Sequence, residues 1–334
     1  MKKAVCACLL IVVAALCVSA APNASADESR VSFFVEPVLL KGLGGTAYDL
    51  SVDNGGGQSG LSRLEFPMAS LEAGVSTGLS IEKNGKRAWL FEASIAHSTF
   101  AWPARMNDYD WFGLTGFPSI PWSYTYSNDT TVSWRASAGV AWTVSVFGPL
   151  SVSLYATYHY QNAHHVENSL TGWQYAFDTN GNPTAVGWIS DSTTDVLEYT
   201  LTAHEPGLGL MADIQALPGV SFELSACFTP VYVSDRDDHK LRSKLSTASG
   251  WGAGAYADLR ATFQLARQPH HLQPYIALEG ELIYYSVSTT QTQYWYGNLD
   301  VPYGGPGQGT TYSGIGHVIT STQYQIGLRF GLAF

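Results

Sequence analysis

The stretch VYVSDRDDHKLRSK, residues 231–244, sets His239 just after Asp235, Asp237 and Asp238. A second stretch, WPARMNDYDW, residues 102–111, carries Asp108 and Asp110. A neutral imidazole, with an ordinary pKa near 6.5, can take a proton from water at neutral pH. In extended chain, residues two apart share a face, so Asp237 could orient His239 and stabilise its imidazolium. Two carboxylates as close as Asp108 and Asp110 resist joint ionisation, which leaves one of them a proton to lend. Such a group could polarise a carbonyl or help an amine depart, with water as nucleophile and no Ser or Cys required. Each motif alone reads more readily as a solvated charged loop or an Asx-turn pair. Their value depends on whether the chain brings them together.

Period two dominates the sequence that must position them. In GWGAGAYADLRATFQLA, Trp251, Ala253, Ala255, Ala257, Leu259, Ala261, Phe263 and Leu265 alternate with polar residues that include Asp258, Arg260, Thr262 and Gln264. Near residue 334, Tyr324, Ile326, Leu328, Phe330, Leu332 and Phe334 repeat the pattern, as do Phe222, Leu224, Ala226 and Phe228. A soluble sandwich would alternate in the same way. The length of the runs, an export signal and the aromatic at Phe334 favour a transmembrane barrel whose apolar face meets lipid. Tight turns at 83–86, 148–149, 217–219 and 268–270 alternate with long polar segments at 42–60, 103–131, 162–193, 234–246 and 295–317. The expected fold is therefore all-β: a ten-stranded antiparallel transmembrane β-barrel with long extracellular loops and short periplasmic turns. The expected strands are 31–41, 61–82, 87–102, 132–147, 150–161, 194–216, 220–234, 247–266, 272–294 and 318–334.

Parity then orients the chemistry. With Phe222 to Phe228 facing lipid on even numbers, Asp235, Asp237 and His239 face the bore. With Trp89, Phe91 and Ile95 facing lipid, Asp108 and Asp110 face the bore too, provided no bulge or Pro103 breaks the register. The two groups should meet across the mouth, four strands apart in a ring of ten.

Residues 1–26 read as a signal peptide: Lys2 and Lys3, an apolar run from Ala4 to Val18, and small residues suited to cleavage after 20 or 26. Residues 27–334 then form a single barrel domain. Cys6, Cys8 and Cys17 leave with the signal, so Cys227 has no intrachain partner. Losing Lys2 and Lys3 takes the formal net charge from −10 to −12. So acidic a chain is a poor nucleic-acid binder and suits cationic partners.

Taken together, these residues resemble the omptin family of outer-membrane proteases. The match rests on Asp108-Tyr109-Asp110-Trp111 with Pro121-Trp122-Ser123, on Asp237-Asp238-His239 with Arg242-Ser243-Lys244, on Leu61-Ser62-Arg63-Leu64-Glu65-Phe66, and on the Phe-ended last strand. The resemblance implies a monomeric endopeptidase in the outer membrane, its site facing the exterior. Asp108, Asp110, Asp237 and His239 would be catalytic, cutting peptides or proteins beside basic residues. Asp235 matches the family acid that binds the basic side chain. The family's second pocket acid falls near Gly45 or Thr46, with Asp49 or Asp53 as substitutes. Contact with lipopolysaccharide is a family trait, although the family's lipid A lysine falls near Ser246. No cofactor is implied.

The remaining motifs read as structural. His164-His165 with Glu167 lie in a segment expected to be an exposed loop, so no metal is expected there. His204-Glu205-Pro206 should mark a bulge, and His270-His271 a turn. Loop aromatics such as Tyr294, Trp295 and Tyr296 fit an interfacial belt or self-packed loops. A non-catalytic barrel acting as an adhesin or binding protein is the alternative to an enzyme. A small-solute channel is disfavoured by the strand number.

Overall fold

The computed structural model describes residues 29–53, 59–83, 86–101, 103–112, 121–177, 183–265, 272–303 and 305–334. The signal peptide, its three cysteines and the centres of the turns at 83–86 and 268–270 lie outside these residues. Twelve strands are present: β1 (Ser29–Asp53), β2 (Ser59–Pro67), β3 (Ser70–Lys83), β4 (Lys86–Ala101), β5 (Ala104–Phe112), β6 (Ser123–Phe147), β7 (Leu150–Phe177), β8 (Pro183–Leu217), β9 (Val220–His239), β10 (Lys244–Gln264), β11 (Gln273–Trp295) and β12 (Thr311–Ala333). All neighbours run antiparallel, and β12 pairs back onto β1 to close the ring. β2 and β3 are halves of one stave, since Gly45↔Pro67 and Lys41↔Leu71 keep a single register against β1. β4 and β5 are likewise one stave broken at Pro103. The result is the expected ring of ten.

The outer face carries an apolar belt. Phe222, Leu224 and Phe228 are exposed on β9, whereas Ser225, Cys227, Thr229 and Val231 between and beyond them are buried. Aromatic pairs mark the belt's edges: Tyr232 with Trp251 (5.3 Å) at one, Trp89 with Trp142 (5.9 Å) at the other. From Trp251 to Phe263 the chain covers about 40 Å, roughly 30 Å along the normal at ordinary barrel tilt, which matches a bilayer's hydrocarbon. Beyond Tyr232 the outer face of β9 turns polar with Ser234, Arg236 and Asp238. Beyond Trp251 that of β10 does so with Ser249 and Thr247, and beyond Tyr160 that of β7 with Asn162 and His164.

Above the belt the structure departs from the sequence reading. Residues 42–53, 104–112, 123–131, 162–177 and 183–193, expected as loops, continue as strand. There the outer face meets water, so the apolar stripe that betrays a strand is missing while the inner face is still buried. Two smaller corrections follow. His204-Glu205-Pro206 is uninterrupted strand, and His204 lies outward, tilted against Tyr160 (5.3 Å). The β4–β5 stave does bulge: unbroken pairing from His97↔Trp134 would set Ala104 against Ser127, yet it meets Asp129. Two extra residues are absorbed, Thr99 and Phe100 both being exposed, so the parity of Asp108 is restored.

Inside the belt the bore is packed with ion pairs. Arg329 bonds Glu36 (2.9 Å) and Glu279 (2.6 Å), and Arg87 bonds Glu223 (3.0 Å). Above them an aromatic floor spans the bore. Tyr48 meets Tyr199 (5.4 Å) and His317 (5.1 Å), and Phe66 stacks on Tyr199 (4.2 Å). All four side chains are at most 1% exposed, so among the described residues this level is closely packed.

Candidate active site

On this floor stand the residues singled out by type and spacing. Asp235, Asp237 and His239 follow one another at alternate positions of β9, all on the bore side. Asp237 is 2% exposed and His239 half-buried. Asp108 and Asp110 sit on β5, four staves away, half-buried and also inward. Asp108 pairs laterally with Leu64, which pairs with Tyr48 on β1. From that row the Tyr48 hydroxyl crosses the bore and donates to Asp237 Oδ2 at 2.5 Å. The two acidic groups thus face a common space at the tall end.

Charges within that space act on one another. Burial, then Asp110, raise the Asp108 carboxyl well above its usual range, and Asp237 across the bore adds to this. Lys244 and Arg242 pull the other way. Asp110 is raised chiefly by burial, against a hydrogen bond from Ser62. Burial, then Lys244 and Arg242, push the His239 imidazole well below 6.5. A neutral imidazole and a protonated carboxyl are therefore favoured together, the pairing that acid–base hydrolysis needs.

Two expectations are corrected. Asp237 does not orient His239: its Oδ2 is taken by Tyr48, while its Oδ1 and His239 Nδ1 are buried without a protein partner. Nor is Asp235 free to receive a basic side chain. Its Oδ2 accepts from His317 Nε2 (2.8 Å) and Tyr199 (3.3 Å), its Oδ1 from the Ala248 backbone N–H (3.0 Å), and it is 6% exposed. The carboxylate anchors the aromatic floor. Parity says which way Asp235 points, not what already fills the space.

The sequence reading also missed two residues. Lys244 pairs laterally with His239, is 4% exposed, and belongs to the field of Asp237, Asp108 and Asp300. Burial lowers its ammonium pKa despite those acids. It stood in the quoted stretch, but a three-residue 3-10 turn, Lys240–Arg242, hides the chain reversal that brings it back beside His239. Arg242 is clamped to Asp300 (3.0 Å), which also accepts from Trp295 Nε1 (2.7 Å). Tyr48 lay in a stretch read as loop, where no signal marked it. Of the possible second pocket acids, Asp49 is partly exposed beside Arg63 (3.7 Å), and the side chain of Asp53 lies outside the described residues. Asp108 Oδ1 is, like Asp237 Oδ1 and His239 Nδ1, buried and unpartnered. These atoms lie on facing walls, and no protein group competes for them.

No family model and no curated protein matches the chain. Among solved structures, the outer membrane protease OmpT from Escherichia coli aligns with a TM-score of 0.68 over 94% of this chain and 98% of that one, at 11% identity. The translocator domain of the autotransporter NalP from Neisseria meningitidis aligns over 98% of this chain and 96% of that one, at 10% identity and a TM-score of 0.32. The first likeness shows an omptin-like outer-membrane barrel fold.

Proposed function

We propose that this chain is an outer-membrane endopeptidase that hydrolyses peptide bonds with a water held between His239 and Asp108. The observation that carries this reading is the meeting of two inward acidic groups, Asp108–Asp110 and Asp237–His239, above a closed aromatic floor. The barrel it shares with an outer membrane protease supports the same reaction class. In the proposed step the water attacks the scissile carbonyl and gives its proton to the neutral His239. Protonated Asp108 hydrogen-bonds the carbonyl oxygen and helps the amine depart, while Asp110 keeps that proton in place by like-charge coupling. Asp237 and Lys244 set the local field.

The outer membrane is the proposed location, with the site facing the exterior, because the strands rise past the apolar belt at that end. A monomer suits a belt that runs around a closed ring. Lipopolysaccharide is the family's lipid partner, and its effect is one arm of the assay. Cleavage beside basic residues, which the resemblance implies, no longer has Asp235 free as the acceptor for the basic side chain, so an acidic rim including Asp49 and Glu65 would have to supply one. The rival reading, a binding barrel without catalysis, draws on one observation: Asp237 bonds Tyr48 rather than His239.

The deciding experiment incubates refolded protein with quenched peptides bearing Arg-Arg, Lys-Arg or neutral sites, with and without lipopolysaccharide. Cleavage lost in His239→Ala supports the endopeptidase. Absence of cleavage across a broad peptide library under both conditions leaves the binding barrel.

A further inference from the structure

The geometry points to a second site, a buried metal site in the wall formed by Asp129 of β6 with His165 and Glu167 of β7. Nothing in the proposed hydrolysis uses these residues. They come together through strand pairing: Asp129 lies opposite Glu167, and Thr131 opposite His165. His165 and Glu167 are two apart on one strand and so share the inner face, while His164 turns outward to Thr200 (2.9 Å). The sequence reading took this segment for an exposed loop. It is strand, and Asp129, His165 and Glu167 are at most 1% exposed.

One donor atom from each of the three lies within 4.8 Å of the others. Asp129 Oδ2 is 3.0 Å from His165 Nδ1 and 2.8 Å from Thr131 Oγ1. Yet Asp129 Oδ1 and both oxygens of Glu167 are buried with no hydrogen-bond donor. Two carboxylates sealed from water without donors are costly unless a proton or a cation joins them. Ligands of one zinc ion, at 2.0–2.2 Å each, stand about 3.3–3.5 Å apart in a tetrahedron, so the trio needs only a small closure by side-chain rotation. One imidazole and two carboxylates suit a divalent first-row ion, zinc above all, better than calcium or magnesium, which favour all-oxygen sets.

Its placement suggests a bracing role. The His165 ring meets Phe66 (5.2 Å) and Tyr199 (6.0 Å) of the floor, and Tyr199 pairs laterally with Asp237. A bound ion would stiffen the wall that carries this floor.

The test uses refolded, untagged full-length protein stripped with a chelator and titrated with zinc alone by calorimetry, with metal content read by mass spectrometry. The expected result is one zinc per chain and a higher melting temperature, both retained in His239→Ala. Losing a mere outer partner of a ligand costs 10–100-fold in affinity, so Glu167→Gln should weaken zinc binding by more than about tenfold. Gln keeps the volume of Glu and removes a buried carboxylate, so the metal-free variant should melt near the wild type, which separates lost binding from lost folding. Cobalt loading should give visible bands in the wild type that vanish in His165→Ala. Equal zinc binding by wild type and Glu167→Gln, or no saturable binding by the wild type, would overturn the assignment.

Discussion

The Tyr48 hydroxyl reaches across the bore to Asp237 Oδ2 at 2.5 Å, tying the wall that carries His239 to the row that carries Asp108. A hydrogen bond to a charged group contributes about 1.5–3 kcal/mol. Tyr48→Phe should therefore lower kcat by roughly 10–100-fold, because Asp237 loses its donor and drifts toward the protonated form. Steady-state kinetics beside a thermal melt check this. An unchanged kcat would show that Asp237 contributes nothing through this bond.

Acid–base residues typically contribute 10²–10⁴-fold. His239→Ala and Asp108→Asn should each cut peptide cleavage at least about a hundredfold. The double variant should fall little further than the worse single one, because the two groups act on a single water. Additive losses would place them in separate steps.

The ring of ten was legible because lipid contact forces alternation, as on β10 from Trp251 to Phe263. The inward parity of Asp237 and His239 followed from Phe222 to Phe228 for the same reason. Asp108 kept its parity only because the β4–β5 stave absorbs two extra residues between His97 and Ala104, where one would have turned it outward. Strand above the belt was illegible: on β7 both Asn162 and His165 are polar, one wet and one fully buried, and no stripe separates them. Side-chain pairing was hidden for a different reason. Asp235 and His317 lie 82 residues apart, and only ring closure brings them to 2.8 Å.

Lys244 offers a prediction in pH. Its charge lowers both His239 and Asp108, so Lys244→Met should raise both pKa values. Activity needs His239 without its proton, which sets the acid limb, and that limb should lie below pH 6.5 in the wild type. It needs Asp108 with its proton, which sets the alkaline limb. Both limbs of the pH–kcat/KM profile should move to higher pH in the variant. A shift of one limb alone would mean that only one of the two groups carries the reaction.

Asp235 gives the sharpest contrast between the resemblance and the structure. As a pocket acid it would govern the choice of basic substrates. As drawn by its contacts, it holds His317, Tyr199 and the Ala248 N–H, three donors from three strands. Asp235→Asn removes the charge but keeps one acceptor oxygen, and its amide would point N–H groups at donors. Unmatched buried donors cost about 1–3 kcal/mol each. The expected outcome is a lower melting temperature with the ratio of kcat/KM for Arg-containing over neutral peptides unchanged. A collapse of that ratio with normal melting would return Asp235 to the substrate pocket and mean that His317 gives way when a basic side chain enters.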